Sequence, residues 1–328
     1  TTNTKIAVDS YDDGENGGII TRDFGASGPT LPSTITSTYN TKHAGDNKTV
    51  TYTGLANALG GNYTVTDTQT GTGKIERRLI KNSGFQVLRN GVRADAEKVY
   101  DGTDVFTLKS DEKLVAENAA PATNTGIVAD DEGKIHFKIA GAQGHFIKGT
   151  SAADTTSHVS EADHVAYNII AATDDGTNSP LRNYYFGASA ADKRNLEAVN
   201  GTDPKDAVTA AGRITPAQIQ AVTKEITKVY DGMAEHTDGN RTIQRGSGIV
   251  DLALINDASG QPVNTSTASY ADKNVARDMS GNIIKKSVNY TAQLTGKYAD
   301  DYQIVDVGNH VISTASGSGD NKTVTAAL

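Results

Sequence analysis

The pentapeptide Lys98-Val99-Tyr100-Asp101-Gly102 returns verbatim as Lys228-Val229-Tyr230-Asp231-Gly232, 130 residues further on (98 to 228). Five identical residues at that distance in a 328-residue chain point to two segments built to one local plan. Alternation sets Lys and Tyr against Val and Asp, as an extended segment requires. Asp-Gly then supplies a tight turn, because glycine accepts a positive φ cheaply. The motif reads as strand then turn, with the tyrosine ring in a small core and its hydroxyl on a backbone partner or water.

Other markers recur around it. A strand-like segment centred on tyrosine occurs three times, as Asn62-Tyr63-Thr64-Val65, Asn183-Tyr184-Tyr185-Phe186 and Asp301-Tyr302-Gln303-Ile304. Gly73-Lys74-Ile75-Glu76 and Gly212-Arg213-Ile214-Thr215 each lead toward the next pentapeptide and read as linker strands. Lys42 to Val50 resembles Ala271-Asp272-Lys273-Asn274-Val275 with its following turn and strand, and Gly45-Asp46-Asn47-Lys48-Thr49-Val50 is repeated verbatim at Gly319 to Val324. Lys48 to Thr53 and Ser287 to Thr291 alternate with period two in β-favouring residues, which predicts one buried and one wet face. Tyr63, Tyr184 and Tyr302 are expected in the core, because a chain with 6 Phe and no Trp needs tyrosine to supply large buried area.

These markers divide the chain into three repeats: 1–75, truncated at its N-terminus and so the start of an internal fragment; 76–214; and 215–328. The second carries an extra segment near 188–211, rich in Ala, Asp and Asn, expected as a solvated loop or short helical insertion. Its middle, Ser151 to Ile170, departs from the repeat pattern. Hydrophobic content of 36% with 33 Gly is lean for one large core and suits several small ones joined by turns. The expected fold class is all-β: tandem small β-sandwich or β-grasp-like repeat domains in an elongated array.

Composition also removes function classes. Without cysteine there is no disulfide framework, thiolate metal site or cysteine nucleophile. A net charge of −8 argues against a nucleic-acid partner, whose affinity is carried by clustered Lys and Arg. No apolar run reaches about 18 residues, so no membrane span is expected. Asp12 to Asn16, Asp130 to Gly133 and Asp174 to Asn178 offer oxygen ligands suited to Ca²⁺, but none has EF-hand spacing and turns demand the same residues. No cofactor is expected; if calcium enters, Asp174, Asp175 and Asn178 are its candidate ligands.

His136, His145, His158 and His164 lack a helical zinc pattern and are expected as scattered surface residues. Gly246-Ser247-Gly248 lacks the frame of a nucleophile elbow, and a site for paired carboxylates is not expected in each of several repeated units. The chain therefore reads as a non-enzyme. Lys98, Lys228 and Lys273 are hypothetical donors of intramolecular isopeptide bonds, with exposed lysine the blander expectation.

Taken in order, Lys-Val-Tyr-Asp-Gly, Ala-Asp-Lys-Asn-Val, a tyrosine-centred strand and the Gly-x-Ile-Thr-Pro linker at Gly212 to Pro216 resemble the YDG repeat of large bacterial exoproteins, the filamentous-haemagglutinin-like adhesins. The resemblance implies an adhesive stalk or passenger segment, secreted to the bacterial cell surface or biofilm matrix. It also implies a host or bacterial surface ligand as partner, and a monomeric segment of a larger chain. The alternative from another class is a carbohydrate-binding module, calcium-assisted, with Tyr11, Tyr39 or Tyr270 exposed to grip a glycan.

Overall fold

The structure, a computed structural model, describes residues 34–56, 61, 64–176, 179–192, 194–203, 206–221, 223, 225–236, 263–264 and 266–328. Among these the chain is mainly β, and helix is confined to short 3-10 turns. The strands are β1 (Thr36–Tyr39), β2 (Gly45–Thr53), β3 (Gln69–Ile75), β4 (Arg78–Lys81), β5 (Phe85–Arg89), β6 (Val92–Ala94), β7 (Ala96–Val99), β8 (Val105–Thr107), β9 (Glu112–Ala116), β10 (Ile135–Ile147), β11 (His164–Asp174), β12 (Tyr184–Gly187), β13 (Arg194–Asn195), β14 (Ala207–Thr215), β15 (Ala217–Gln220), β16 (Val263–Asn264), β17 (Thr267–Tyr270), β18 (Val288–Thr295), β19 (Tyr302–Val305), β20 (Thr314–Ser316) and β21 (Thr323–Ala327).

Three antiparallel centres follow one another along the chain. β2 lies between β1 and β3, β11 between β10 and β14, and β18 between β17 and β21. The strands form where side chains alternate: β18 buries Tyr290, Ala292 and Leu294, while β14 buries Val208, Ala210 and Ile214. β14 (Ala207 to Ala211) and β21 (Thr323 to Ala327) share the sequence Val-Thr-Ala-Ala and the same edge of their central strand.

The chain leaves the first two centres in the same way. β3 ends at Ile75 and β4 begins at Arg78, where it pairs in parallel with β12, Arg78 opposite Tyr184. β14 ends at Thr215 and β15 begins at Ala217, pairing in parallel with β19, Ala217 opposite Tyr302. Both tyrosine strands follow a 3-10 turn, Pro180–Asn183 and Ala299–Asp301, whose Leu181 and Ala299 are buried.

The buried side chains of the second and third centres do not separate into isolated cores, while Val50 and Leu55 of the first lie outside the shared cluster. One contiguous cluster runs from Ile80, Phe85 and Phe186 through Tyr100, Ile214 and Ala217 to Tyr302, Ile304 and Val324. β14 and β15 carry the cluster from the second centre to the third, since Ile214, Ala217 and Ile219 along that passage are all buried. Within the cluster Phe85 meets Phe137 and Phe186 edge-on, at ring-centroid distances of 5.0 and 6.3 Å.

The segment 188–211 is not a solvated loop. It holds β13, a 3-10 turn at Leu196–Ala198 and the start of β14, and it buries Leu196, Val199, Val208 and Ala210. Its Ala and Asp content hides these few apolar residues, and the buried Asp206 carboxylate organises it by accepting from Gly201 N at 2.8 Å and pairing with Arg194. Ser151 to Ile170 resolves into an isolated bridge, Ile147 to Thr155, and the first half of β11.

Candidate functional site

Two junctions of the same construction gather buried polar groups among the described residues. In the second, Asp301 immediately precedes β19 and is fully buried; its carboxylate accepts from His158 Nδ1 and Val159 N, both at 2.7 Å. The His158 ring stacks on Tyr298 (centroids 3.3 Å, interplanar 5°) and on Tyr100 at 6.3 Å. Tyr100 in turn meets Tyr302 edge-on at 5.4 Å. In the first junction Asn183 holds the position of Asp301, with its Oδ1 accepting from Ala44 N at 3.0 Å and its amide 3.3 Å from His43 Nδ1. The next residue, Tyr184, donates its hydroxyl to Asp131 Oδ2 at 2.9 Å and accepts from Val128 N at 3.1 Å. Burial first, and the Asp131 carboxylate next, push the Tyr184 phenol up.

The two pentapeptides make the same turn. Gly102 and Gly232 turn the chain at φ of 80° and 83°. Lys98 Nζ is enclosed by oxygens: Asp101 Oδ1 and Thr103 O at 2.6 Å, Thr103 Oγ1 at 2.8 Å and Val105 O at 3.1 Å. Lys228 Nζ repeats this with Asp231 Oδ1 at 2.7 Å, Met233 O at 2.8 Å and Glu235 O at 2.7 Å. A third lysine, Lys286, donates to Asp272 O at 2.8 Å and Asn274 O at 2.9 Å and pairs with the Asp272 carboxylate. In each loop the ammonium does what a bound cation would do, drawing carbonyl and carboxylate oxygens inward.

Lys98 and Lys228 are thus the organising donors of their turns, not exposed lysines, whereas Lys273 is exposed. The carboxylates respond to this environment. Burial alone would raise Asp101, but Lys98 and the Thr103 donors outweigh it and hold the group below the usual range. Lys228 does the same to Asp231, and Lys286 to Asp272.

The tyrosines of the two copies part company. Tyr100 is 3% exposed; Tyr230 is 58% exposed, which corrects the expectation that both rings are buried. Tyr230 lines a groove of about 370 Å³ together with Ile226, Met233, Tyr270, Val275 and Val288. Tyr270 and Tyr39 are half-buried and not freely exposed, with hydroxyls donating to Ile226 O at 3.0 Å and Lys74 O at 3.3 Å. Tyr184 and Tyr302 are buried; Tyr11 and Tyr63 lie outside the described residues.

Asp174 is engaged by Ser179 Oγ, Gly176 N and Leu181 N, and the hydroxyl above all holds its carboxyl below the usual range. Asp175 faces His136 at 2.8 Å; Asn178 and the loop Asp12 to Asn16 lie outside the described residues, as does Gly246 to Gly248. Among the described residues no three His, Asp or Glu side chains gather as a metal site would require. Each of the four histidines has a carboxylate neighbour: Asp175, Asp104, Asp301 and Asp163 for His136, His145, His158 and His164. His158 departs from the surface expectation, its side chain being 12% exposed, because stacking and the Asp301 bond draw it inward.

Sequence reasoning found Asn183-Tyr184 and Asp301-Tyr302 but missed what they hold. The usable signal was a histidine followed by a small apolar residue, His43-Ala44 and His158-Val159, in the preceding section. The chain matches no family model, and neither a curated protein nor a solved structure is found similar to it.

Proposed function

We propose that this chain is a structural and adhesive segment of a secreted, surface-exposed bacterial protein, built of YDG-type β units joined end to end, and that it is not an enzyme. The observation that carries this reading is the recurrent junction. β4 on β12 and β15 on β19 are parallel pairings, each sealed by an Asn or Asp that receives a His-x pair from the unit before. A strand that leaves one centre to join the next transmits load through backbone hydrogen bonds and restricts bending, which is what a stalk requires. The ligand class in this reading is a host or bacterial surface molecule.

Small-angle scattering of the purified chain tests it. A compact globule of 328 residues has a radius of gyration of about 20 Å. End-to-end units give a value well above that and a strongly asymmetric distance distribution. A value near the compact limit overturns the reading.

A further inference from the structure

One edge that is filled in the first copy of the pentapeptide has no strand beside it in the second among the described residues. Along β7 runs β14 in parallel, Gly212 opposite Ala96 through to Thr215 opposite Val99. Tyr100 N donates to Thr215 O at 2.8 Å, and Thr215 Oγ1 donates to Lys98 O at 3.2 Å. The corresponding residues, Ile226 to Val229, belong to no strand, and Val229 is 89% exposed. Tyr230, Met233, Val275, Ile283 and Ile284 line the adjoining groove and are 45–71% exposed. Apolar side chains gathered in one groove beside a segment that pairs with no strand among the described residues mark an interaction surface.

We propose that this groove is a strand-acceptor site, taking an extended Gly-x-Ile-Thr segment from a further unit of this kind in parallel beside Ile226 to Val229. Glycine sits opposite Ile226 and threonine opposite Val229, the register of Gly212 to Thr215 on β7. The turn that presents the edge is already formed, since Lys228 holds Asp231, Met233 and Glu235 as Lys98 holds its own loop. The added strand supplies an acceptor to Tyr230 N and covers the apolar groove, as addition of a strand to an open edge does elsewhere. Glycine suits the close approach in this register: a Cβ at Gly212 would stand 3.1 Å from Ala96 O and 3.3 Å from Ala96 Cβ, and Ile226, in the place of Ala96, is larger.

The inference deepens the end-to-end reading and rests on it: β7 takes the linker strand of its own repeat, and the second copy takes the same linker from another such unit. The test is a titration of the isotope-labelled chain with the synthetic peptide Ala210–Gln220, followed by amide shifts. Saturable shifts confined to Thr227 to Met233 and the groove residues Tyr270 and Val275 are expected, with binding at least tenfold weaker for the peptide carrying Gly212→Val. No shift at millimolar peptide, equal shifts with a scrambled peptide, or self-association through the groove that excludes the peptide each overturn the proposal. Scattering keeps the two readings apart: an elongated particle that ignores the peptide sinks only the acceptor site, and a compact one sinks the end-to-end arrangement itself.

Discussion

His158 and Asp301 lie 143 residues apart in sequence and 2.7 Å apart in space, the carboxylate fully buried and receiving both the imidazole and the Val159 N–H. Asp301→Ala leaves these donors without an acceptor in a buried place, which costs about 2–4 kcal/mol. Asp301→Asn keeps an oxygen acceptor, as Asn183 does for Ala44 N, and loses less than half of that. Chemical denaturation of the two variants checks the ranking; equal losses would mean that charge, not the acceptor, matters at this junction.

Tyr100 and Tyr230 occupy the same place in identical pentapeptides but not the same environment. Tyr100→Ala removes a buried ring packed on Tyr302 and His158 and is expected to cost about 3–5 kcal/mol. Tyr230→Ala, at 58% exposure, is expected to cost under about 1 kcal/mol. Thermal melts of the two variants separate them, and a large loss at Tyr230 contradicts the open edge.

The contrast shows what could be read from sequence. Period-two alternation and Asp-Gly turns act locally, so β18 and the turns at Gly102 and Gly232 were legible. Which edge a strand joins depends on partners far away, so the parallel pairings of β4 and β15 were not. Local identity can even mislead. Gly45 to Val50 begins β2, a central strand, whereas the identical Gly319 to Val324 is a turn entering β21. The exposure of Tyr230 was hidden for the same reason, since nothing within five residues of it tells whether a strand lies alongside.

The lysine cages give a third expectation. Lys98→Met removes the ammonium that lies 5.9 Å from the Phe146 ring centre and donates to Thr103 O and Val105 O, and it leaves Asp101 with the Thr103 donors alone, a loss of about 1–3 kcal/mol. Lys228→Met acts on a segment outside any strand, so it is expected to speed hydrogen exchange at Asp231 to Glu235 with little change in the global unfolding midpoint. Equal effects on the midpoint would show that both turns belong to one cooperative unit.

The same cages set the response to acid. Asp101, Asp231 and Asp272 are held below the ordinary carboxylate range: burial opposes the shift at Asp101 and is outweighed by Lys98 and Thr103, while Lys228 and Lys286 lead at the other two. A carboxyl whose folded value is depressed favours the folded state fully above its unfolded value, about 3.9, and loses that contribution as pH falls through the folded value. Stability from these groups is therefore flat between neutral pH and about pH 5 and falls in the window below about pH 4. Denaturation midpoints at pH 7, 5, 4 and 3 trace the fall. Asp101→Asn lowers the neutral-pH plateau and flattens the acid limb, because the variant has no proton to take up at that turn. An acid limb as steep in the variant as in the parent chain shows that other carboxylates govern acid unfolding.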